Sequence, residues 1–280
     1  MHQLEFLKKI LDFMIIELTN KNIYENLSIE EFLFDNFEPP ILIFWRSTPC
    51  VVLGKNQNPW IECNLKEMID DDIKLARRIS GGGTVYHDEG NLNYSIIEDN
   101  KTYNSNKIYK MILDALKNLN IRAQIKSQNS LFYNGKKFSG TAFAYKRNKV
   151  LHHGTLLLDS DLKKLNKYLN NGDIKIKTKA VKSNSAEVTN LNLSFKSVTN
   201  EIKKQYSILF NDGNLEKNEF DDKIIKKYID LRSSKKWIYA KTPKFSILNE
   251  GKEIEVSKEN IRNISSEFLS KFINIEKMFS

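Results

Sequence analysis

The segment Leu131-Phe132-Tyr133-Asn134-Gly135-Lys136-Lys137-Phe138 constrains the fold more than any other stretch of this chain. An Asn-Gly pair between strand-forming residues is the strongest short-range signal for a two-residue hairpin, because that turn needs positive φ at both central positions. Pairing Tyr133 with Lys136 places Phe132 opposite Lys137 and Ser130 opposite Ser139, so Ser130, Phe132, Lys137 and Ser139 share one face. A sheet that contains this ribbon cannot be purely parallel.

Other elements alternate with the hairpin irregularly. Leu4, Leu7 and Leu11 fall on one helical face, and Phe13 to Ile16 reads as a strand. Ser28 followed by Glu31 is a capping-box pattern that predicts a helix start, and Pro39-Pro40 ends that unit. Strands are expected at Ile41–Trp45, Val51–Gly54 and Ile73–Ile79, and the alternation of the last sends Arg77 and Arg78 to opposite faces. A helix is expected over 105–119, strands over Ile121–Ile125 and Val150–Leu158, and a further helix near Asp161–Leu169. The fold class is therefore α+β, a mixed β-sheet flanked by helices. The polar run Asn211 to Asn218 is the best boundary, giving a main domain over 12–215 and a short C-terminal segment over 216–280.

A chain of 280 residues, 40% of them hydrophobic, can bury a sizeable core and is unlike a disordered protein. The apolar run Ile41-Leu42-Ile43-Phe44-Trp45 is far short of the roughly 20 residues that cross a bilayer, so no membrane association is expected. Glu5, Asp12 and Glu17 interrupt the N-terminus, which has neither a secretory nor a transit pattern, and a cytoplasmic location is expected. Cys50 and Cys63 have no metal-ligand spacing, and no metal site of the protein's own is expected. Lys plus Arg exceed Asp plus Glu by 44 − 35 = 9, a surplus that steers anionic partners toward the chain. The lysines are scattered without a basic block, so nucleic acid is not the expected partner.

The sharpest chemical feature runs from Arg77 to Asp88, through Gly81-Gly82-Gly83-Thr84-Val85-Tyr86-His87. Three glycines between two strands let successive N–H groups converge on an anion, and Arg78 could add a bidentate phosphate contact. Spacing alone also permits an ordinary glycine-rich turn, and the run is neither a Walker loop nor a Rossmann fingerprint. Lys137, on a strand of the hairpin, could point into a pocket or into solvent. His152 and His153 are neighbours on a strand, so at most one faces a pocket. His87 beside Asp88 reads as an acid–base pair or as a turn hydrogen bond. No nucleophile–histidine–carboxylate order is present, and covalent catalysis by the protein is not indicated.

Several ordered segments resemble one known family. Tyr24 to Glu31, Pro49 to Trp60, Arg77 to Asn93, Lys136 to Ala142, His152 to Leu157 and Val188 to Leu191 are similar to the successive signatures of lipoate–protein ligases and lipoyltransferases. The likeness runs over about residues 13–191, and Trp237-Ile238-Tyr239 with Thr242 to Ser246 resembles a later motif of the same family. It implies the biotin/lipoate-ligase catalytic domain, related to class II aminoacyl-tRNA synthetases, over 12–215. It also implies an ATP-dependent ligase that activates lipoate to lipoyl-adenylate with Mg²⁺ and transfers the lipoyl group to a lysine. The acceptors would be apo lipoyl domains of 2-oxoacid dehydrogenase complexes and the glycine cleavage H protein.

By the same resemblance Arg78, Gly83, Thr84, Val85 and Tyr86 bind ATP, Gly82 and His153 bind lipoate, and Lys137 contacts both and is the catalytic residue. Two positions depart from the family pattern. Asn129-Ser130 stands where Asn-Asp is usual, which removes a carboxylate that could hold Mg²⁺, and Lys182 to Glu187 lacks a customary basic residue before Val188. The segment after 215 is also shorter than the usual accessory domain. The alternative is a lipoyltransferase using lipoyl-adenylate or a lipoylated carrier, and with it a mitochondrial matrix location.

Overall fold

A computed structural model of the protein describes residues 14–127, 130–169, 176–210, 222–249 and 252–256. The helical pattern at residues 4–11, Phe13, Asn129 and the boundary at 211–218 lie outside the described residues.

Seven strands form the main sheet, in the order β1 (Met14–Glu17), β2 (Ile41–Trp45), β6 (Asn91–Asp99), β10 (Lys149–Leu157), β9 (Lys136–Lys146), β8 (Ser130–Tyr133) and β7 (Gln124–Ser127). Only β1 and β2 run parallel, and every other neighbour is antiparallel, so the sheet is mixed as expected. A smaller sheet has the order β4 (Lys74–Arg77), β3 (Cys50–Leu53), β5 (Val85–His87), and a third joins β11 (Ile176–Thr178), β12 (Phe245–Asn249) and β13 (Lys252–Val256).

All five residues of β2 are buried, because helices cover both faces of the main sheet. Leu42 and Phe44 enter an apolar cluster with Ile112 of α4 (Ser105–Asn118) and Ile202 of α6 (Phe195–Phe210). Ile41, Ile43 and Trp45 face the other way, into a cluster with Leu27 and Leu33 of α1 (Ile23–Asn36). The short helices α2 (Pro59–Glu62), α3 (Leu65–Asp70) and α5 (Leu162–Tyr168) surround the small sheet.

Three local expectations need correction. Helix α1 starts at Asn22, whose side chain accepts from Tyr24 N at 3.0 Å, and Ser28 lies buried in its interior. Asn is as good a cap as Ser, and Ile23 and Leu27 carry the buried stripe back toward it. Strand β7 begins at Gln124 because Asn120, at φ 64°, and Ile121, whose N–H reaches Leu116 O at 2.9 Å, close α4 instead. The hairpin turns at Asn134-Gly135 with φ 49° and 82°, and Phe132 faces Lys137 as read. Beyond that pair the register shifts, so that Leu131 faces Ser139 and Ser130 faces Gly140 rather than Ser139. The extra residue is Phe138, and the bulge lets it join Leu131 in the core cluster.

The described part of 222–256 packs onto what precedes it. Helix α7 (Asp222–Ser233) lies on α1, where Arg232 makes a two-pronged ion pair with Glu31 and stacks on Trp237, 3.7 Å from the ring centre. Trp237, on α8 (Lys235–Ile238), donates its indole N–H to Arg77 O at 2.7 Å. Strand β12 pairs with β11, and Phe245 stacks on Trp60.

Candidate functional site

A cavity of about 270 Å³ lies over the α1 side of the main sheet. Strand register lays its floor out in two rows, since residues directly opposite in antiparallel strands share a face. One row is Trp45, Asn93, Thr155 and Gly140. The other is Ser95, His153 and Ala142, which Ile43 continues into the core. Leu27, Val52, Val85 and His87 contribute to its other walls. A row across four strands spans three strand spacings, about 14 Å.

The rim is the glycine loop between β4 and β5. Arg78 is the residue that shapes it. Its Nε donates to Ser80 Oγ at 3.0 Å, one Nη to Val52 O at 3.2 Å, and the other Nη to Gly81 O and Gly83 O at 2.6 and 2.7 Å. Four N–H directions are thus committed to protein acceptors, so Arg78 clamps the loop and retains a single N–H for a ligand. Arg77 points the opposite way, as its strand position predicted. It ties Gly54, Lys55 and Gln57 carbonyls at 2.8–3.1 Å to Ile238 O at 2.7 Å and to Thr242. Burial pushes both guanidinium pKa values down to about 10, and both stay charged at neutral pH.

A hydrogen-bonded chain joins the loop to α1. Glu30 meets His153 Nδ1 at 3.1 Å, His153 Nε2 meets Ser80 Oγ at 2.6 Å, and Ser80 accepts from Arg78. Burial works to raise the Glu30 pKa, but His153, Ser95 and Arg78 outweigh it and hold the carboxyl below its ordinary value. The result is a buried carboxylate and guanidinium joined through an imidazole and a hydroxyl, so that each charged group has hydrogen-bond partners.

Gln57 and Ser183 close the other side of the loop. Gln57 Oε1 accepts from Gly54 N at 2.9 Å and Thr84 Oγ1 at 2.7 Å, while Ser183 Oγ accepts from Thr84 N at 2.8 Å. Ser183 also bonds Glu62, which holds the segment through Val181 and Asn184 against the pocket.

Lys137 lies half-buried in the pocket wall, and its ammonium has no ion-pair partner among the described residues. Its backbone is held by Glu187 O at 2.8 Å and Thr189 N at 3.0 Å, which gives the 187–189 segment its structural task. Burial pushes the Lys137 pKa down. His153 faces the pocket and His152 does not: the latter meets Tyr103 OH at 2.9 Å on the opposite face. His87 is held neutral, its pKa pushed down to about 3 by burial, with Arg78 and His153 adding to it, and its Nδ1 accepts from Asn91 at 2.8 Å. Asp88 accepts from Gly90 N and Asp161 N at 2.9 and 2.8 Å, so the turn reading of that pair is the correct one.

Of the residues singled out from the sequence, Arg78, Gly82, Gly83, Thr84, Val85, Lys137 and His153 line one pocket. Tyr86 does not, because strand alternation turns its ring into the core beneath the small sheet beside Tyr168. Glu30, Ser80, Trp45, Asn93 and Ser183 were missed. A pair of glutamates inside an otherwise buried helix face was the available signal for Glu30. No Asp or Glu lines the pocket among the described residues, and Ser130 lies in its wall.

The fold defines the class: an α+β domain built like the catalytic domains of lipoate–protein ligases. The crystal structure of P. falciparum LipL1 in complex with lipoate superposes with a TM-score of 0.72 at 30% identity, covering 87% of this chain and 82% of that one. The chain belongs to the lipoyl protein ligase A/B catalytic domain family, whose model matches residues 22–207. It is 42% identical over 190 residues to lipoate-protein ligase A of Blochmanniella floridana, a match covering 66% of this chain and 56% of that protein. It is 34% identical over 258 residues to the human mitochondrial lipoyl amidotransferase, covering 86% of this chain and 69% of that protein. The chain spans about half the length of the bacterial ligases it matches, with shares of 56%, 53% and 52%.

Proposed function

We propose that this chain activates lipoate with Mg-ATP and transfers the lipoyl group to a lysine of an apo lipoyl domain. A half-buried lysine with no ion-pair partner among the described residues, beside a clamped glycine loop, is the observation that carries the reading. Lipoate carboxylate attacks the α-phosphorus of ATP, the bond to the β-phosphate breaks, and pyrophosphate leaves. The acceptor amine then attacks the carbonyl of lipoyl-adenylate, gives up a proton, and AMP leaves.

Lys137 stabilises the negative charge of the carboxylate and of the α-phosphate as it develops. Gly83, Thr84 and Val85 border the nucleotide, with Arg78 fixing the loop and offering its remaining N–H. Gly82 and His153 border the acyl chain, whose tunnel has Leu27, Val52, Val85 and Ala142 in its walls. Mg²⁺ enters with ATP on its phosphates, since the described pocket brings no carboxylate of its own. The acceptors are lipoyl domains of 2-oxoacid dehydrogenase complexes and the glycine cleavage H protein, and the location is the cytoplasm.

Two observations favour a second reading, transfer without activation. The carboxylate-free pocket and the long match to the human amidotransferase both suit an enzyme given lipoyl-adenylate or a lipoylated carrier. Lipoate-dependent exchange of labelled pyrophosphate into ATP separates the two. Exchange that disappears in Lys137→Ala supports activation. Lipoylation from preformed lipoyl-adenylate without exchange selects the transferase.

A further inference from the structure

Glu30 is a charged group where an apolar one would pack. It lies on α1 at 1% exposure, and the same helix buries Ile23, Leu27 and Leu33 in an apolar cluster. Its neighbour Glu31 is accounted for by the ion pair with Arg232, whereas Glu30 meets no lysine or arginine at ion-pair distance among the described residues. Its partners are His153 Nδ1, 3.1 Å from each carboxylate oxygen, and the Ser95 hydroxyl. Burying a carboxylate is costly, so what those bonds accomplish is the question.

The chain that starts at Glu30 has a direction. A carboxylate accepts and cannot donate, so the hydrogen between it and His153 belongs to Nδ1. In the uncharged imidazole Nε2 is then bare, and across 2.6 Å it takes the hydrogen of the Ser80 hydroxyl. Ser80 Oγ is left to accept from Arg78 Nε at 3.0 Å, which fixes the plane of the guanidinium. One Nη of that guanidinium holds Gly81 O and Gly83 O. In the opposite tautomer Nε2 donates to Ser80. The hydroxyl hydrogen of Ser80, itself 1% exposed, then has no acceptor among the described residues.

We infer that Glu30 is a positioning residue for the activation step: by fixing the tautomer of His153 it orders the donors through Ser80 to Arg78, and so sets the glycine loop for ATP. The inference rests on the ATP-dependent reading above. Glu30 does not line the pocket, so it acts through the chain alone.

Nitrogen-15 spectra of the histidine-labelled full chain read the tautomer, and lipoate-dependent pyrophosphate exchange reads kcat and the KM for ATP. His153 should carry its hydrogen on Nδ1 in the parent and lose that preference in Glu30→Met. The same variant should raise the KM for ATP about five- to tenfold, with kcat changed far less. Glu30→Gln keeps an oxygen that can accept from Nδ1 and should restore most of the loss. Ser80→Ala cuts the chain at its last link and should raise the same KM, and the double variant Glu30→Met, Ser80→Ala should raise it no further. Ser80→Ala and the parent spectrum carry the test if Glu30→Met does not fold. Three results overturn the inference and leave ATP-dependent activation standing: the hydrogen on Nε2 in the parent, additive effects in the double variant, or an unchanged KM with a lowered kcat. Absence of exchange in the folded parent removes that reading and the inference with it.

Discussion

Lys137 owes its chemistry to where the hairpin holds it. Burial disfavours its ammonium, so its pKa in the fold lies below the ordinary 10.5. Between those two values the unfolded chain binds more protons, and stability rises with pH there; at neutral pH the full penalty is present. Lys137→Met is therefore expected to leave the melting temperature unchanged or higher while lowering lipoylation about a hundredfold or more, read by calorimetry and by the lipoylation rate. A parallel loss of stability would mean that Lys137 is structural. Glu98 titrates in the opposite sense. Burial raises its pKa from 4.5 to about 7, with Lys107 opposing, so the folded state holds the extra proton and stability falls as pH rises through that window. Glu98→Gln should be more stable than the parent by roughly 1–2 kcal/mol at about pH 8, with no difference below about pH 4, as chemical denaturation at both pH values would show. Residue types alone marked Lys137 and the glycines. They did not mark Glu30, which meets His153 across 123 positions and is visible only once α1 covers β10.

At the level of elements the glycine loop depends on two arginines pulling in opposite directions. Arg78 organises the loop from within and Arg77 bolts its flank to residues 237–242. Gly54 sits between them, and a Cβ there would lie 2.2 Å from Gly82 O, a backbone atom that cannot swing aside. Gly54→Ala should displace the loop, raising the KM for ATP several-fold and costing roughly 1–3 kcal/mol; an unchanged KM with lowered stability would contradict the link between loop position and nucleotide binding. The contact of α7 on α1 makes a second test. Arg232→Met leaves Glu31 buried without its partner and should cost about 3–5 kcal/mol, much of it recovered in the Glu31→Leu, Arg232→Met double variant. Strands and helices were legible where apolar periodicity is strong, as in β2 and α4. The start of α1 was not, because Asn22 and Ser28 are both good caps and only packing chooses between them. The bulge at Phe138 was not either, since it answers to a core cluster assembled from distant segments.

Across the whole molecule, the main sheet and the small sheet share the proposed chemistry. The hairpin strand of the main sheet presents Lys137, its central strands floor the proposed acyl tunnel, and the small sheet hangs the glycine loop above them. The residues described after 222 pack against α1, Arg77 and Trp60 and so brace this arrangement. The central claim is that the pocket both activates lipoate and passes it on. The direct test is the mass of an apo lipoyl domain incubated with the chain, lipoate and Mg-ATP, beside a second reaction given lipoyl-adenylate. Lipoyl mass gained in both reactions, and lost from the first in Lys137→Ala, is the predicted result. Mass gained only from lipoyl-adenylate would contradict activation by this pocket, and mass gained in neither would contradict the whole account.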